Sequence, residues 1–257
     1  MGCALGIIHA DCQTWLWPRR SRTLASILFP IFSIAHLAIV IWLVAIWRSS
    51  PKAQVRCACA IAAVVTAGLV YDNGLIALGA QIGLGPQLEV LSMPRYVLHA
   101  LVTPLMIFAM LQLAAAADIK LAQRRWARWA AGILSIALIP VGIEEGLIGL
   151  ELYPACFEGT VRYASSSYAN QLCSPTQAVV AATGGPPIPA ITVVLVMLIL
   201  GSMILYQRRS PWALLGGIVM LIGAGVPIAN GPVPGNGGEV VLTLSYALTA
   251  ARFSKNA

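Results

Sequence analysis

The chain has 257 residues, of which 59% are hydrophobic and 10% are charged, and its mean hydropathy is +0.83. A soluble domain carries about a quarter charged residues, so these figures exclude a water-facing globular enzyme and point to one membrane-embedded domain over residues 1–257. The formal net charge is +7, yet no basic stretch is interleaved with aromatics. The excess therefore reads as a membrane-topology signal, not as a nucleic-acid footprint.

The first apolar stretch, Cys3 to Ile8, is too short for a signal-peptide core and has no basic residue before it. After Arg19, Arg20 and Arg22, apolar runs of the length needed to cross a bilayer, about 20 residues, recur along the chain. Five are clear, near residues 25–47, 55–78, 93–117, 127–150 and 188–206. Two more follow near 212–229 and 239–251, the last being short unless Gly237 and Gly238 dip into the membrane. The expected fold is an all-α, polytopic transmembrane bundle of about seven spans, with a polar external loop over 151–187. A six-span arrangement of the ends stands as the alternative.

With seven spans, Arg48, Lys52, Arg56, Lys120, Arg124, Arg125, Arg128, Arg208, Arg209, Arg252 and Lys255 fall on the side of the C-terminus. Arg19, Arg20, Arg22, Arg95 and Arg162 fall on the other. Cytoplasmic segments are enriched in Lys and Arg, so the C-terminus is assigned to the cytoplasm. The N-terminal Arg triplet runs against this bias. Cys156 and Cys173 lie in the external loop, where they either pair or remain free thiols. Cys57 and Cys59 sit at the inner end of the second span, where packing is the simplest role.

The acids sort differently. Asp11, Asp72, Glu89, Glu144, Glu145, Glu151, Glu158 and Glu239 fall in the outer half, and only Asp118 is cytoplasmic. Positive-inside sorting depends little on acids, so an outward-opening polar chamber is the better explanation. Asp72 follows Arg56, and Glu144 follows Arg128, by the same interval, which puts both carboxylates about 24 Å from their inner anchors. Glu144 and Glu151 are expected on one helix face, with Glu145 turned about 100° away. Arg95 and His99, four residues apart, share a face of the third span. The expected chamber holds Asp72, Asn73, Arg95, His99, Glu144 and Glu151. Other readings stand beside it: Tyr71-Asp72-Asn73-Gly74 is also a turn signature, Arg95 is also a snorkelling interfacial charge, and His99 is also a packing residue. Adjacent Glu144 and Glu145 within an apolar run are the strongest functional signal, because intramembrane carboxylates are costly. The glycines from Gly74 to Gly85 fit either close helix packing or a re-entrant segment.

No Walker loop, dinucleotide fingerprint or HExxH helix is present, and His9, His36 and His99 fall in separate segments. No metal and no cofactor is expected. Carboxylates in an apolar chamber suit general-acid chemistry on a greasy substrate, because burial favours retention of a proton. Protonating an alkene or epoxide makes a carbocation, which carboxylates and aromatic faces stabilise.

Tyr71-Asp72-Asn73-Gly74, the glycines to Gly85, Met93-Pro94-Arg95-Tyr96 with His99, and Gly142-Ile143-Glu144-Glu145-Gly146 resemble integral membrane terpene cyclases of microbial meroterpenoid pathways. The likeness is to the ascofuranone- and macrophorin-like type and covers about Val55 to Leu150. The Asn-Phe-Ala-Trp-Glu motif of the pyripyropene-type cyclases is missing. The resemblance implies a metal-free, proton-initiated cyclase in an intracellular membrane, the endoplasmic reticulum in a eukaryote. Its substrate would be an apolar prenylated molecule supplied by other pathway enzymes. On this reading Asp72, Glu144 and Glu145 are the catalytic candidates, and Asn73, Arg95, His99 and Glu151 bind substrate or orient the acids. A proton-coupled transporter using the same acids as a relay, or a non-catalytic assembly protein, is the alternative.

Overall fold

A computed structural model describes residues 23–181, 187–225 and 231–255. The Cys3–Ile8 stretch, Asp11, Arg19, Arg20, Arg22 and positions 226–229 of the sixth expected span lie outside these residues. The described residues are 76% helical. The elements in order are α1 (Leu24–Ser49), α2 (Ala53–Ile82), α3 (Pro86–Val102), α4 (Leu105–Ala116), the single turn α5 (Lys120–Gln123) and α6 (Arg125–Gly146). A hairpin follows, β1 (Tyr153–Phe157) with β2 (Thr160–Ala164), and then α7 (Ile188–Arg208), α8 (Trp212–Gly225) and α9 (Val233–Phe253).

Helices α1, α2, α6 and α7 are long and apolar enough to cross a membrane, and α3 with α4 makes a fifth candidate as a pair bent by 47°. The bend corrects the expectation of one straight span over 93–117. Its cause is local: Pro104, the residue before α4, has no N–H to continue the ladder of α3. The sixth and seventh expected spans correspond to α8, with 14 residues, and α9, with 21 residues. Helix α9 begins at Val233, well before the expected position 239, so Gly237 and Gly238 are helical and not a dip in the chain.

Outward faces of the long helices carry Ile27, Ile31, Ile34, Ile41, Ile133, Ile136 and Ile199, the apolar surface expected against lipid. Lipid offers no hydrophobic gain for helix pairing, so close approach of small residues supplies the packing. Ala58 and Ala62 of α2, Ala109 and Ala114 of α4, and Ala247 and Ala250 of α9 do so around Leu43, Met110, Met197, Ile204 and Tyr246. Helix α4 is buried on nearly every side and is the central rod. At one end of the bundle Ser50 Oγ donates to Ser254 O (2.9 Å), Lys52 Nζ to Ala116 O (3.4 Å) and Arg252 Nη2 to Arg208 O (3.3 Å). Arg208 also pairs with Asp118 at 3.5 Å. The ends of α1, α4, α7 and α9 thus meet at the face expected to be cytoplasmic.

The opposite face carries the hairpin, a departure from an all-helical chain within the expected 151–187 loop. Its two-residue turn, Glu158-Gly159, has φ of 40° and 72°, the positive values that a tight hairpin turn of this twist requires. Cys156 and Cys173 form a disulfide, which decides between the pairing and free thiols. Cys57 and Cys59 are free. The Glu158 carboxylate accepts the Ala25 N–H at 3.1 Å, placing negative charge at the start of α1 where the helix dipole favours it.

Helix α2 runs unbroken through Tyr71–Gly74 to Ile82, so the turn reading fails and Gly74 and Gly79 are packing residues. The turn falls later, at Gly83 and Gly85, whose φ values of 82° and 153° favour glycine. Gly79 is the seat of the hairpin: a Cβ there would lie 1.8 Å from the Val161 carbonyl oxygen. Leu75, Leu88, Val161 and Tyr163 close over the contact. Gly79→Ala is expected to displace β2 and destabilise the protein by about 1–3 kcal/mol, seen as a lower thermal midpoint in detergent. Gly235→Ala, where an added Cβ meets nothing within 4 Å, should melt as the parent does; equal midpoints for both variants would remove Gly79 as the hairpin seat.

Candidate functional site

A cavity of about 370 Å³ opens between α2, α3, α6 and the start of α7, roofed by β2. Its inner walls are apolar, from Val65 and Leu69 of α2 and Leu98 and Val102 of α3. Its outer end is polar, with Asp72, Arg95, Tyr96, His99, Glu145 and Arg162. The local cause is helix period. Gly68 and Asp72 lie one turn apart on α2, as Arg95 and His99 do on α3, so each helix turns a single face to the gap.

The Arg95 Nε donates to Asp72 Oδ1 in an ion pair whose side chains are 10% and 19% exposed. Arg95 Nη1 also donates to the Tyr163 carbonyl at 3.2 Å. The second oxygen of Asp72 accepts from Asn236 Nδ2 at 3.3 Å, and the same amide reaches Asn73 Oδ1 at 3.2 Å. Asn73 itself is wholly buried and returns its Nδ2 to Leu69 O at 2.9 Å. Four elements, α2, α3, β2 and α9, are therefore joined through one carboxylate and its partners. Asp72 has donors on both oxygens, an arrangement that suits stabilising nearby positive charge better than releasing a proton. Arg95 is a structural partner of Asp72, not a snorkelling charge at a helix start.

The expected site residues separate into two groups. Asp72, Arg95, His99 and Glu145 line the cavity together, and Asn73 lies behind them in the Asn236 bridge. Glu144 and Glu151 are not among its lining residues. Of the two carboxylates of α6, both on exposed residues, Glu145 lines the cavity and Glu144, turned by the 100° step between neighbours, does not. Glu151 cannot share a helix face with Glu144, because α6 ends at Gly146, where Leu147 N bonds Ile143 O at 2.9 Å. Glu151 instead takes the Tyr153 hydroxyl. Glu145 accepts the Ile188 N–H at 3.2 Å, tying the ends of α6 and α7 at the cavity mouth. His99 makes no hydrogen bond among the described residues and faces the cavity.

Four further side chains, outside the expected chamber, stand at or near this cluster. Arg162, on β2, projects into the cavity roof, and its Nη2 donates to Gln171 Oε1 at 2.8 Å. Burial first, and Arg95 beside it second, push its guanidinium down to about 10, so it is still cationic at neutral pH. Asn236 supplies the bridge just described. Glu239, one turn further along α9, has an Oε2 that is buried without a hydrogen-bond partner among the described residues, within electrostatic reach of Asp72 and Arg95. His36 is wholly buried beside the backbone of Phe32 and Glu239, and its ring is also within electrostatic reach of Asp72. The three-residue spacing of Asn236 and Glu239 is the sequence signal that would have put a polar face of α9 at the cluster. No group of three or more potential metal ligands exists among the described residues.

No protein-family model, curated protein or solved structure matches the chain.

Removing one partner of a buried ion pair leaves an uncompensated charge, which costs about 3–5 kcal/mol. Asp72→Asn and Arg95→Gln are each expected to lose stability on that scale in detergent unfolding. The double variant should lose clearly less than the two losses combined. Additive losses would show that the two side chains do not stabilise one another.

Proposed function

We propose that the chain is an integral membrane terpene cyclase of seven crossings, in which α8 and α9 complete the span set and the cavity holds a prenylated or epoxidised apolar substrate. The supporting observation is the cavity itself: apolar walls from α2 and α3 lead to an outer end where Asp72, Glu145 and His99 converge. An intracellular membrane is the proposed location, and the resemblance of the Asp72, Arg95 and Glu144-Glu145 stretches to meroterpenoid cyclases supports the reaction class. A prenyltransferase and an epoxidising oxygenase would supply the substrate.

The roles follow from hydrogen bonding. Glu145 uses one oxygen to accept the Ile188 N–H, which leaves the other to carry and deliver a proton to an alkene or epoxide. Asp72, fixed by Arg95 and Asn236, presents a preorganised negative charge to the carbocation that forms. His99, free of hydrogen bonds among the described residues, takes the proton lost when the last double bond or C–O bond closes the cycle. Proton in and proton out balance, so the net reaction is an isomerisation. Glu144 lies outside the cavity and has no role in this scheme.

The test is turnover of a farnesylated phenol and its terminal epoxide by membranes containing equal amounts of each variant. Asp72→Asn and Glu145→Gln should each lower the rate about 100-fold or more, while Glu144→Gln retains it. Parental turnover by Asp72→Asn and Glu145→Gln would sink the cyclase reading at this site. Loss in Glu144→Gln alone would return the acid to the lipid-facing side of α6.

A further inference from the structure

Arg162 is the cation of the cavity lining without a direct carboxylate partner among the described residues, Asp72 acting on it only at longer range. Asp72 is satisfied by Arg95 and Asn236, and Arg95 has its Nε and Nη1 engaged by Asp72 and the Tyr163 carbonyl. Glu145 is held at the mouth by the Ile188 N–H. Arg162 has no such counter-ion: no carboxylate lies within salt-bridge distance of it among the described residues, and its side-chain partner is the neutral Gln171 amide. Its Nε is buried with no hydrogen-bond partner among the described residues, so the atoms it can offer to the cavity are those of its outer amino groups. Buried charges in proteins are ordinarily paired, because an unpaired one bears its full desolvation cost. Arg162 lines the cavity, so a group bound there is placed to complete it.

The geometry narrows the chemistry of that group. A guanidinium presents donors in a planar fork that matches an oxyanion. His99 lines the same cavity with its imidazole unengaged, and supplies a second donor. Below these two cationic or polar groups the walls are Val65, Leu69, Leu98 and Val102. The volume of about 370 Å³ lies in the range that encloses a small organic ligand. We propose that Arg162, with His99 of the same cavity lining, binds the oxyanion head of an amphipathic ligand, a carboxylate or phenolate, whose apolar tail lies between α2 and α3. The inference rests on the proposed function only in placing the ligand in this cavity. It adds the requirement that the ligand carry an acidic head, and it assigns head recognition to the hairpin, not to the helices.

Three probes of one chain length separate the possibilities: dodecanoate, dodecanol and dodecylamine, each measured as binding to the protein in phosphatidylcholine nanodiscs in excess of empty nanodiscs. Dodecanoate should bind about tenfold or more tighter than dodecanol, and dodecylamine should show no specific binding. Acetate should not compete with dodecanoate, since it lacks the tail. Arg162→Gln should abolish the preference for the anion, Arg162→Lys should retain part of it, and Arg128→Gln, in a separate groove on the α4 and α6 side, should leave it intact. Dodecanoate should also raise the thermal midpoint of the unaltered protein where dodecanol does not, a readout that needs no variant to fold. Equal binding and equal thermal shifts for acid and alcohol, or an unchanged preference in a folded Arg162→Gln, would overturn the assignment. Competition by acetate would also overturn it, by showing a simple anion site. Anion selectivity without turnover of a prenylated phenol would defeat the cyclase and leave the head site standing; turnover without anion selectivity would do the reverse.

Discussion

The Asp72–Arg95 ion pair is the constraint around which the outer half of the bundle is arranged. Buried as they are, neither charge can be left alone, and neither can move to water without separating α2 from α3. The pair therefore fixes two helices against each other. Through the Tyr163 carbonyl it also fixes the hairpin, and through Asn236 it fixes α9. The inner half needs no such device, because Ala58, Ala62, Ala109, Ala114, Ala247 and Ala250 allow close packing around apolar side chains. The molecule is thus held by shape at one end and by charge at the other, and the cavity sits on the charged end.

That arrangement explains why the hairpin belongs to the site. The hairpin is stiffened by the Cys156–Cys173 disulfide, by its tight Glu158-Gly159 turn and by the Glu158 contact with the start of α1. It is seated where Gly79 lets the Val161 carbonyl approach α2. A flexible loop would not hold Arg162 in a cavity of low dielectric, because an arginine free to swing outward would solvate in preference to facing an unpaired position. Rigidity in the hairpin thus maintains an unpaired cation beside an already neutralised pair.

Much of this was legible in the sequence, and the failures have physical causes. Five apolar runs and the side on which the cations collect could be read from composition alone, because the bilayer imposes both. The shared faces of Arg95 and His99 were also readable, because they lie within one continuous helix. Errors arose where a helix ended or turned. Asn73-Gly74 carries a strong turn signature, yet α2 continues because its backbone is buried and has no water to take over its hydrogen bonds. Glu151 was assigned to α6 because the apolar run continues to Leu150, whereas the helix closes at Gly146. For Glu144 and Glu145 a one-residue difference in rotation decides which lines the cavity, and position along the helix carries no information on rotation. Arg162 was out of reach because its position depends on a hairpin folding back across α2.

The polarity of α9 gains a cause from the same arrangement. Its first two turns carry Asn236, Gly237, Gly238 and Glu239, a composition that obscures a span to any reading by hydropathy. Those residues are polar because they face the Asp72 cluster and not lipid: Asn236 bridges Asp72 to Asn73, and the buried oxygen of Glu239 lies within electrostatic reach of the pair. Farther along, Ala247, Ala250 and Phe253 return to the apolar packing of the inner half. The change in character occurs near the level at which α2 passes from its small-residue stripe to Asp72. Two helices distant in sequence thus change from apolar to polar together because both border one chamber. In a chain with 10% charged residues, such a coincidence of polarity between separate helices is a sign of a site even where no single motif is.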